Sequence, residues 1–219
     1  MEIISNFIVF EGGDGSGTTT QLSLLGERFK KIKEPFFYPT FEPTGGQIGK
    51  IIRSALKKEI TVKPDTLAML FASDRNEHLN GENGIRAQIN KGAFVASDRY
   101  VLSSLVYQGI ECGDELPVFL NSRFPAPEIT LFFDLSPQIA VERMNRRYKN
   151  AGSSHEMFED LDFQVKVREK YHSLIEIYRS KGARVEIIDA EKKPAEVADQ
   201  VWSIVSQMPI INTKLNADK

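Results

Sequence analysis

Short apolar runs alternate along the chain with longer segments whose apolar residues recur at helical spacing. The short runs are rich in β-branched and aromatic residues and mostly apolar throughout, as expected for strands buried on both faces. They predict five strands, at residues 7–10, 36–41, 93–97, 129–134 and 184–188. The longer segments predict helices at residues 19–31, 64–90 (one long helix or a bent pair), 137–148, 158–180 and 194–207. This alternation is typical of an α/β fold in which helices cover a parallel sheet.

Length and composition fit one globular domain. A chain of 219 residues, 41% of them hydrophobic, is long enough to bury one core. We expect this domain to cover residues 1–208, followed by a loose, flexible C-terminal tail at residues 209–219. A further mobile loop is predicted at residues 149–155, with the sequence KNAGSSH.

The charge balance bears on possible partners and location. Lys and Arg total 28 against 30 Asp and Glu, a net charge of −2, so no general basic field attracts nucleic acid or a membrane surface. The single Cys112 cannot form an intramolecular disulfide, and no segment has the pattern of a bilayer span or a signal peptide. We therefore expect a cytoplasmic protein with no nucleic-acid or membrane partner. His78, His155 and His172 do not have metal-ligand spacing and are interpreted, with Cys112, as structural or surface residues.

The segment GGDGSGTTT lies between the first predicted strand and the first predicted helix. It matches the phosphate-loop pattern G-x-x-x-x-G-K-[ST] at Gly12, Gly17 and Thr19, but Thr18 occupies the lysine position. Glycines let successive backbone N–H groups surround an anion, and the helix N-terminus adds the positive end of its dipole; neither depends on residue 18. The predicted phosphate-binding residues are Gly12, Gly13, Asp14, Gly15, Ser16, Gly17, Thr18 and Thr19.

Three further motifs follow the glycine loop. The first is EPTGG, which begins at Glu42 and is followed by Arg53 on the next helix. The second is LFASDR, in which Phe71 and Arg75 are four residues apart and so share one helix face. A ring and a guanidinium on one face suit a flat base, because the ring can stack and the guanidinium can bond a carbonyl.

The third motif is SDRY, residues 97–100, at the carboxyl end of a predicted strand. Open α/β sheets bind their ligands at that edge. Polar residues follow closely, at Ser103, Ser104, Tyr107 and Gln108. The three motifs together predict an acceptor site beside the phosphate loop.

In order and spacing, these segments resemble the thymidylate kinase family over about residues 6–205. The resemblance rests on FEGGDGSG, FEPTGG with IGKIIR, LFASDRNEHL, SDRYVLSSLVYQG and FFDLSP. It implies a three-layer P-loop NTPase fold with a five-stranded parallel sheet and a short lid at about residues 143–157. It also implies transfer of the γ-phosphoryl group of Mg-ATP to dTMP, giving dTDP and ADP for dTTP synthesis. ATP and dTMP would be the small-molecule partners, Mg²⁺ the cofactor and a homodimer the assembly.

The resemblance also implies roles in the acceptor site. Phe71 would stack on thymine and Arg75 would bond its O4, with Ser104 and Gln108 near the polar edge and Tyr107 against the sugar. Other implied acceptor residues are Arg53 and Arg99, which would hold the phosphate with their bidentate forks, and Glu42, Asp98 and Ser103 of the same polar cluster.

On the donor side, the resemblance implies that Asp14 and Asp98 orient the acceptor and help to organise Mg²⁺, with Thr19 as a further metal ligand. Lid arginines would act on the transferred phosphoryl group. The candidates are Arg143, Arg146 and Arg147, of which Arg147 is the first choice because it lies nearest the lid loop. The segment at residues 188–190 would lie beside adenine.

Thr18 leaves alternatives open. Loss of one charged hydrogen bond costs about 1.5–3 kcal/mol, which would slow transfer roughly ten- to a hundredfold if nothing replaced it. One alternative is another nucleotide or nucleoside kinase of the same fold, which would differ at Phe71, Arg75 and Tyr107. The other is a catalytically impaired nucleotide-binding homologue.

Each motif also has an ordinary structural interpretation, such as Phe71 in the core, Arg75 paired with Asp74 on a solvated face, or Asp98 paired with Arg99.

Overall fold

Five parallel strands form the sheet in this computed structural model, which describes residues 2–151 and 160–217. The strands are β1 (Ile3–Gly12), β2 (Phe37–Phe41), β3 (Phe94–Asp98), β4 (Ala126–Asp134) and β5 (Val185–Asp189). Their spatial order is β2-β3-β1-β4-β5, with β1 in the centre, and each neighbouring pair is parallel. The five strands predicted from the apolar runs are therefore confirmed.

The helices connect these strands and cover the sheet. They are α1 (Thr18–Ile32), α2 (Gln47–Leu56), α3 (Pro64–Asn80), α4 (Ile85–Asn90), α5 (Val101–Cys112), α6 (Glu115–Asn121), α7 (Pro137–Ala151), α8 (Leu161–Ser180), α9 (Pro194–Val205) and α10 (Pro209–Ala217). The long segment at residues 64–90 is the bent pair α3 and α4, interrupted after Asn80. No pattern in the sequence analysis predicted α6.

Both faces of the sheet are buried, which accounts for the continuous apolar runs of its strands. Phe7 and Val9 of β1 belong to a hydrophobic cluster completed by α3, α4, α5 and α8. The alternate residues Ile8 and Phe10 belong to a second cluster with α1, α7, α9 and α10. This is the three-layer α/β arrangement, and it confirms the predicted fold class.

The C-terminal segment corrects one prediction. Residues 209–219 were expected to be a loose tail, but Pro209–Ala217 form α10. Ile211 is fully buried in the second cluster, where Leu215 also packs, and Lys214 pairs with Glu34 at 2.7 Å. The segment is mostly polar, so its helical pattern is weak. Ile211 and Leu215 are nevertheless four residues apart and share the helix face that packs on the core.

The topology brings the ends of β1 and β3 together. Phe10 of β1 is in register with Asp98 of β3, and Phe41 of β2 is in register with the same residue. The glycine loop, EPTGG and SDRY therefore meet at one edge of the sheet. Within the described ranges, none of the helices is long and apolar enough to cross a membrane.

Candidate active site

The glycine loop connects β1 to the first residue of α1, Thr18. Gly15 and Gly17 have left-handed φ angles of 79° and 87°, which glycine adopts readily. A Cβ atom on Gly12 would lie 2.6 Å from Ser16 Oγ, and one on Gly15 would lie 2.8 Å from the carbonyl oxygen of Ala140. The tight turn therefore requires glycines, and it sets the loop at the N-terminus of α1, where a phosphate is favoured.

Two guanidinium groups contact the carbonyl groups of this loop. Arg99 Nη1 donates to the carbonyl oxygen of Gly12 at 3.1 Å, and Arg143 Nη1 donates to that of Gly15 at 3.3 Å. Thr18 itself is buried and uncharged. Residue 18 supplies no charge, and positive charge reaches the loop from Arg99, which follows β3, and from Arg143 of α7.

Thr19 and Asp98 are joined directly, because the Thr19 hydroxyl donates to Asp98 Oδ2. The other carboxylate oxygen, Asp98 Oδ1, is buried and has no hydrogen-bond partner among the described residues. A hydroxyl and a carboxylate are the hard oxygen ligands that Mg²⁺ takes from proteins, with water and phosphates completing its shell. The pair fits the predicted magnesium site. Within the described ranges, no group of three or more His, Cys, Asp and Glu residues could hold a metal ion by itself.

Arg99 lies between the glycine loop and α5. Its φ of 73° is unusual for a residue with a side chain, and its amide donates to the carbonyl oxygen of Phe10 at 2.8 Å. Its guanidinium pairs with Asp14 Oδ1 at 2.7 Å, and Tyr107 donates to Asp14 Oδ2 at 3.0 Å. Burial, followed by the charge of Asp14, raises the pKa of Tyr107, so this hydroxyl remains a donor. Asp14, Arg99 and Tyr107 therefore form one fixed cluster.

Glu11 holds this cluster in place, and the sequence analysis missed it. Its carboxylate is fully buried and accepts hydrogen bonds from the amides of Tyr100 and Ser103 at 2.9 and 3.2 Å. It also accepts from the hydroxyls of Ser103 and Tyr171 at 2.5 and 2.9 Å. Burial raises the pKa of Glu11, while these donors and Arg99 act in the opposite direction. The available signal was a charged residue directly after the apolar run of residues 7–10 and inside the strand β1.

Arg75 lies at the other end of the site and is 1% exposed. Its Nε and Nη2 donate to Glu42 Oε2 at 2.9 and 2.7 Å, and Nη2 also contacts Ser104 Oγ at 3.0 Å. Glu42 Oε1 meets His78 Nδ1 at 2.9 Å. Burial alone would raise the pKa of Glu42, but Arg75 and His78 outweigh it and lower that pKa. The charged groups here are thus buried as a mutually satisfied network.

The alternative in which Arg75 pairs with Asp74 on a solvated face is wrong. Both residues are buried, and Asp74 instead accepts from the amide and hydroxyl of Thr44 at 2.6 and 2.7 Å. Arg53 holds the same loop from the opposite side, donating to the carbonyl oxygens of Pro43 and Thr44 at 2.7 and 2.5 Å. The EPTGG loop is therefore fixed by α2 and α3.

These groups line one cavity of about 500 Å³ next to the glycine loop. All ten residues predicted for the acceptor site lie on its wall: Glu42, Arg53, Phe71, Arg75, Asp98, Arg99, Ser103, Ser104, Tyr107 and Gln108. Asp14 and Thr19 also line it, at the end nearest the loop. Ser104 and Gln108 are nearly fully buried, and Gln108 Oε1 has no hydrogen-bond partner within the described residues. The cavity wall thus combines residues of the glycine loop region with polar side chains and the ring of Phe71.

The three arginines of α7 lie in different surroundings. Arg146 and Arg147 are both exposed, but only Arg147 lines the cavity. Arg143 donates to Gly15 and, through Nη2, to the carbonyl oxygen of Ala190 at 3.0 Å. It therefore ties the phosphate loop to the segment after β5. The mobile loop was predicted to begin at residue 149, but residues 149–151 belong to α7. The rest of that loop and of the predicted lid, residues 152–157, lies outside the described residues, as does His155.

The remaining candidates have structural surroundings. His78 links Glu42 to Thr40 Oγ1, which lies 2.6 Å from its Nε2, and His172 lies 3.3 Å from Asp134. The thiol of Cys112 donates to the carbonyl oxygen of Gln108 in its own helix. These contacts agree with the interpretation of His78, His172 and Cys112 as structural residues.

Comparison with known proteins adds independent evidence. The family model described as thymidylate kinase matches residues 10–201. A protein named "Putative thymidylate kinase" from Treponema pallidum is 40% identical over 193 residues, covering 88% of this chain and 90% of the relative. A "Probable thymidylate kinase" from Pyrobaculum aerophilum is 36% identical, covering 92% of this chain and 97% of the relative. A "Thymidylate kinase" from Ligilactobacillus salivarius is 34% identical, covering 91% and 97%.

Proposed function

Because this chain belongs to the thymidylate kinase family, we infer that it transfers the γ-phosphoryl group of ATP to dTMP, giving dTDP and ADP. In this reaction the bond between the γ-phosphorus and the β,γ-bridging oxygen breaks, and a bond to a phosphate oxygen of dTMP forms. One observation carries the proposal for the site: the ten predicted acceptor residues line a single cavity that opens beside the phosphate loop.

We propose that Arg53, Arg99 and Asp14 place the acceptor phosphate. The Arg99 guanidinium contacts two residues of the glycine loop, Gly12 and Asp14, so it can hold a dTMP phosphate at the position from which an oxygen attacks. The reaction is a displacement that depends on positioning and charge stabilisation more than on covalent help from the protein. Arg53 lines the same cavity from α2.

We propose that the opposite end of the cavity binds thymine. Phe71 offers a ring for stacking, Arg75 a donor for O4, and Ser104 with Gln108 the polar edge. The buried, unpartnered Gln108 Oε1 supports this role, because buried acceptors are normally satisfied and a pyrimidine N–H would satisfy this one. Tyr107 lines the same cavity, and its ring would lie against the sugar.

On the donor side, the backbone N–H groups of residues 12–19 would bind the ATP phosphates. Thr19 and Asp98 would hold Mg²⁺, which, when bound, supplies positive charge to the phosphate oxygens. Arg99, Arg143 and Arg147 are placed to supply part of the charge that a lysine at position 18 would provide. The reaction product would serve dTTP synthesis.

We further propose that the chain forms a homodimer in the cytoplasm, with no nucleic-acid or membrane partner. Exposed apolar side chains on α2, α3 and α6 support the dimer: Ile51, Met69, Val118 and Phe119 are 44%, 49%, 52% and 74% exposed. These helices pack against one another through α3. Sedimentation velocity measures the assembly directly.

The function is tested by ADP formation with Mg-ATP and a panel of dTMP, dUMP, dCMP, dAMP and dGMP. We expect strong preference for dTMP, with dUMP a poor second, because a donor from Arg75 would face an amino group on cytosine. Equal turnover of dCMP would contradict the substrate assignment. Nucleotide binding without turnover of any acceptor, thymidine included, would identify a catalytically impaired homologue.

A further inference from the structure

We propose that Asn121 of α6 is a positioning residue for dTMP recognition, which orients the Arg75 guanidinium so that one N–H group faces the base. This inference rests on the proposed function. Asn121 does not line the cavity, and it lies 46 residues from Arg75 in the chain. Its Oδ1 accepts a hydrogen bond from Arg75 Nη1.

The donors of Arg75 can be assigned one by one. A guanidinium carries five N–H groups in a fixed plane. Nε donates to Glu42 Oε2, and Nη2 faces Glu42, Ser104 and the carbonyl oxygen of Tyr100, the last at 2.9 Å. Asn121 takes one hydrogen of Nη1. Within the part of the chain that the structure describes, the acceptors therefore leave one Nη1 hydrogen for a ligand in the cavity.

Asn121 is itself held rigidly, which is what an orienting residue requires. It is 6% exposed, and its Nδ2 donates to the carbonyl oxygen of Pro117 at 2.8 Å. This second bond fixes which end of the amide faces Arg75, because only Oδ1 can accept from a guanidinium. The backbone of α6 thereby determines that Asn121 Oδ1 faces Arg75.

The surroundings of the Arg75 guanidinium make a lost acceptor costly, because the group is enclosed by aromatic rings. The ring centroids of Tyr100 and Phe124 lie 5.2 and 5.7 Å from Arg75 Cζ, and Arg75 is 1% exposed. Water does not reach the group freely, so a lost acceptor leaves a buried donor unsatisfied. The Nη1 group would then turn toward whichever acceptor remains, and the direction of the donor presented to the base would change.

The test compares Asn121→Leu with Asn121→Asp. Leucine removes the acceptor at similar volume, whereas aspartate keeps an oxygen toward Arg75, loses the donor to Pro117 and adds a negative charge that faces the guanidinium. A hydrogen bond to a charged group is worth about 1.5–3 kcal/mol, so we expect Asn121→Leu to raise the KM for dTMP roughly ten- to a hundredfold. The KM for ATP should change less than about threefold, and the preference for dTMP over dCMP should fall. Asn121→Asp should keep a dTMP KM within a few-fold of the parent.

Ile211→Ala is the control for general destabilisation, because Ile211 is buried in α10 and contributes nothing to the cavity wall. If Asn121→Leu lowers the melting temperature to the same extent as this control and leaves the dTMP KM and selectivity unchanged, Asn121 is only structural and the proposal is overturned. An Asp variant as impaired in dTMP binding as the Leu variant would overturn it too. If Asn121→Leu does not fold, Asn121→Ser takes its place with the same criteria.

Failure of the proposed function would be distinguishable from failure of this inference. The parent enzyme answers the first question through its turnover of the nucleotide panel. The second question is answered by calorimetric dTMP affinity of parent and variants, which requires no turnover. If the parent and Asn121→Leu bind dTMP with the same affinity, the proposed role of Asn121 is refuted, whether or not the parent enzyme turns over dTMP.

Discussion

At the scale of single residues, Thr18 sets the main chemical question, because it stands where the phosphate-loop pattern has lysine. The rest of the loop has the geometry that anion binding needs, with two left-handed glycines before the first turn of α1. Arg99 and Arg143 contact its carbonyl groups from two sides. The positive charge is thus distributed over neighbouring elements.

We predict that Thr18→Lys binds ATP at least as tightly as the parent and transfers the phosphoryl group at least as fast. The added ammonium would reach the β- and γ-phosphate oxygens of an already formed site. The measurement is steady-state ADP formation at saturating dTMP, with nucleotide affinity measured separately. An inactive parent that becomes active on substitution would show that the lysine is indispensable and that the arginines do not compensate for it.

We predict that Arg147→Ala lowers kcat about a thousandfold or more, the size of effect that an arginine acting on a transferred phosphoryl group has. Arg147 lines the cavity, while its neighbour Arg146, which is also exposed, is not part of the cavity wall. Arg146→Ala is therefore the matched control, which removes the same charge one residue away and should have a much smaller effect. If neither variant differs from an active parent, these arginines are surface charge and another group neutralises the phosphoryl group.

Sequence patterns readily identified the residues that would contact substrates. They did not identify the buried residues that hold those side chains in position. Arg75, Arg99 and Phe71 were placed by motifs of fixed spacing. Motif spacing did not identify three residues that support the site, Glu11, Asp74 and Asn121. Their hydrogen-bond partners lie far away in the chain; Glu11, for example, accepts from Tyr171. A buried hydrogen bond between distant elements leaves no local pattern.

At the scale of elements, α10 shows how a short helix contributes to the core. Ile211 packs in the same cluster as Ile8 and Phe10 of the central strand. A helix of this length is not stable alone in water, so its packing must stabilise it.

We predict that Ile211→Ala lowers the free energy of unfolding by about 2–5 kcal/mol, the range for deleting a buried branched side chain. Activity at low temperature should remain, because α10 does not line the cavity. Ile177→Ala is the matched control, since Ile177 is 44% exposed on α8 and its loss should cost far less. Urea denaturation of the three proteins gives the comparison. Equal stability of parent and Ile211→Ala would mean that α10 does not pack on the core.

The central strands β1, β3 and β4 gave a strong local signal, because their burial makes their sequences mostly apolar, whereas the edge strands β2 and β5 are only partly buried. α10 and α6 were harder to predict. In α10 the few apolar residues are interrupted by Asn, Thr and Lys, which weakens the helical pattern. The helix α6 has only seven residues, Glu115–Asn121, too few to show a clear period. Their positions depend on contacts with α3, α5 and the sheet that only the tertiary structure supplies.

At the scale of the whole molecule, acid stability depends on carboxylates whose charge the fold favours. Arg75 and His78 lower the pKa of buried Glu42 despite its burial. The hydrogen bond from Arg168 lowers the pKa of Asp134 in the same way. A carboxyl group whose pKa is lowered on folding stabilises the protein above its unfolded pKa, and the contribution disappears as the pH falls through the folded pKa.

We predict that Glu42 and Asp134 contribute a constant amount to the free energy of unfolding near neutral pH. That contribution should fall once the pH drops below the usual pKa range of carboxyl groups. The stability difference between the parent and Glu42→Gln should be largest above pH 5 and should shrink in acid, because protonated Glu42 loses its ion pair with Arg75. Glu196→Gln, an exposed change on α9, is the control. Thermal unfolding from pH 7 to pH 3 measures the difference. A gap that stays constant across this range would show that Glu42 does not titrate with unfolding.

The central position of β1 has a consequence for how the chain is made. It is the first strand to leave the ribosome, yet Phe7 pairs with Val95 and Ile8 pairs with Ile129. Both neighbours of the strand are synthesised much later, and at roughly 5–20 residues per second the nascent chain carries this apolar segment unpaired for several seconds. Parallel pairing between distant segments is also slow to form after release. The same topology that brings the site residues to one edge of the sheet therefore leaves the new chain prone to aggregation until the partners of β1 have been made.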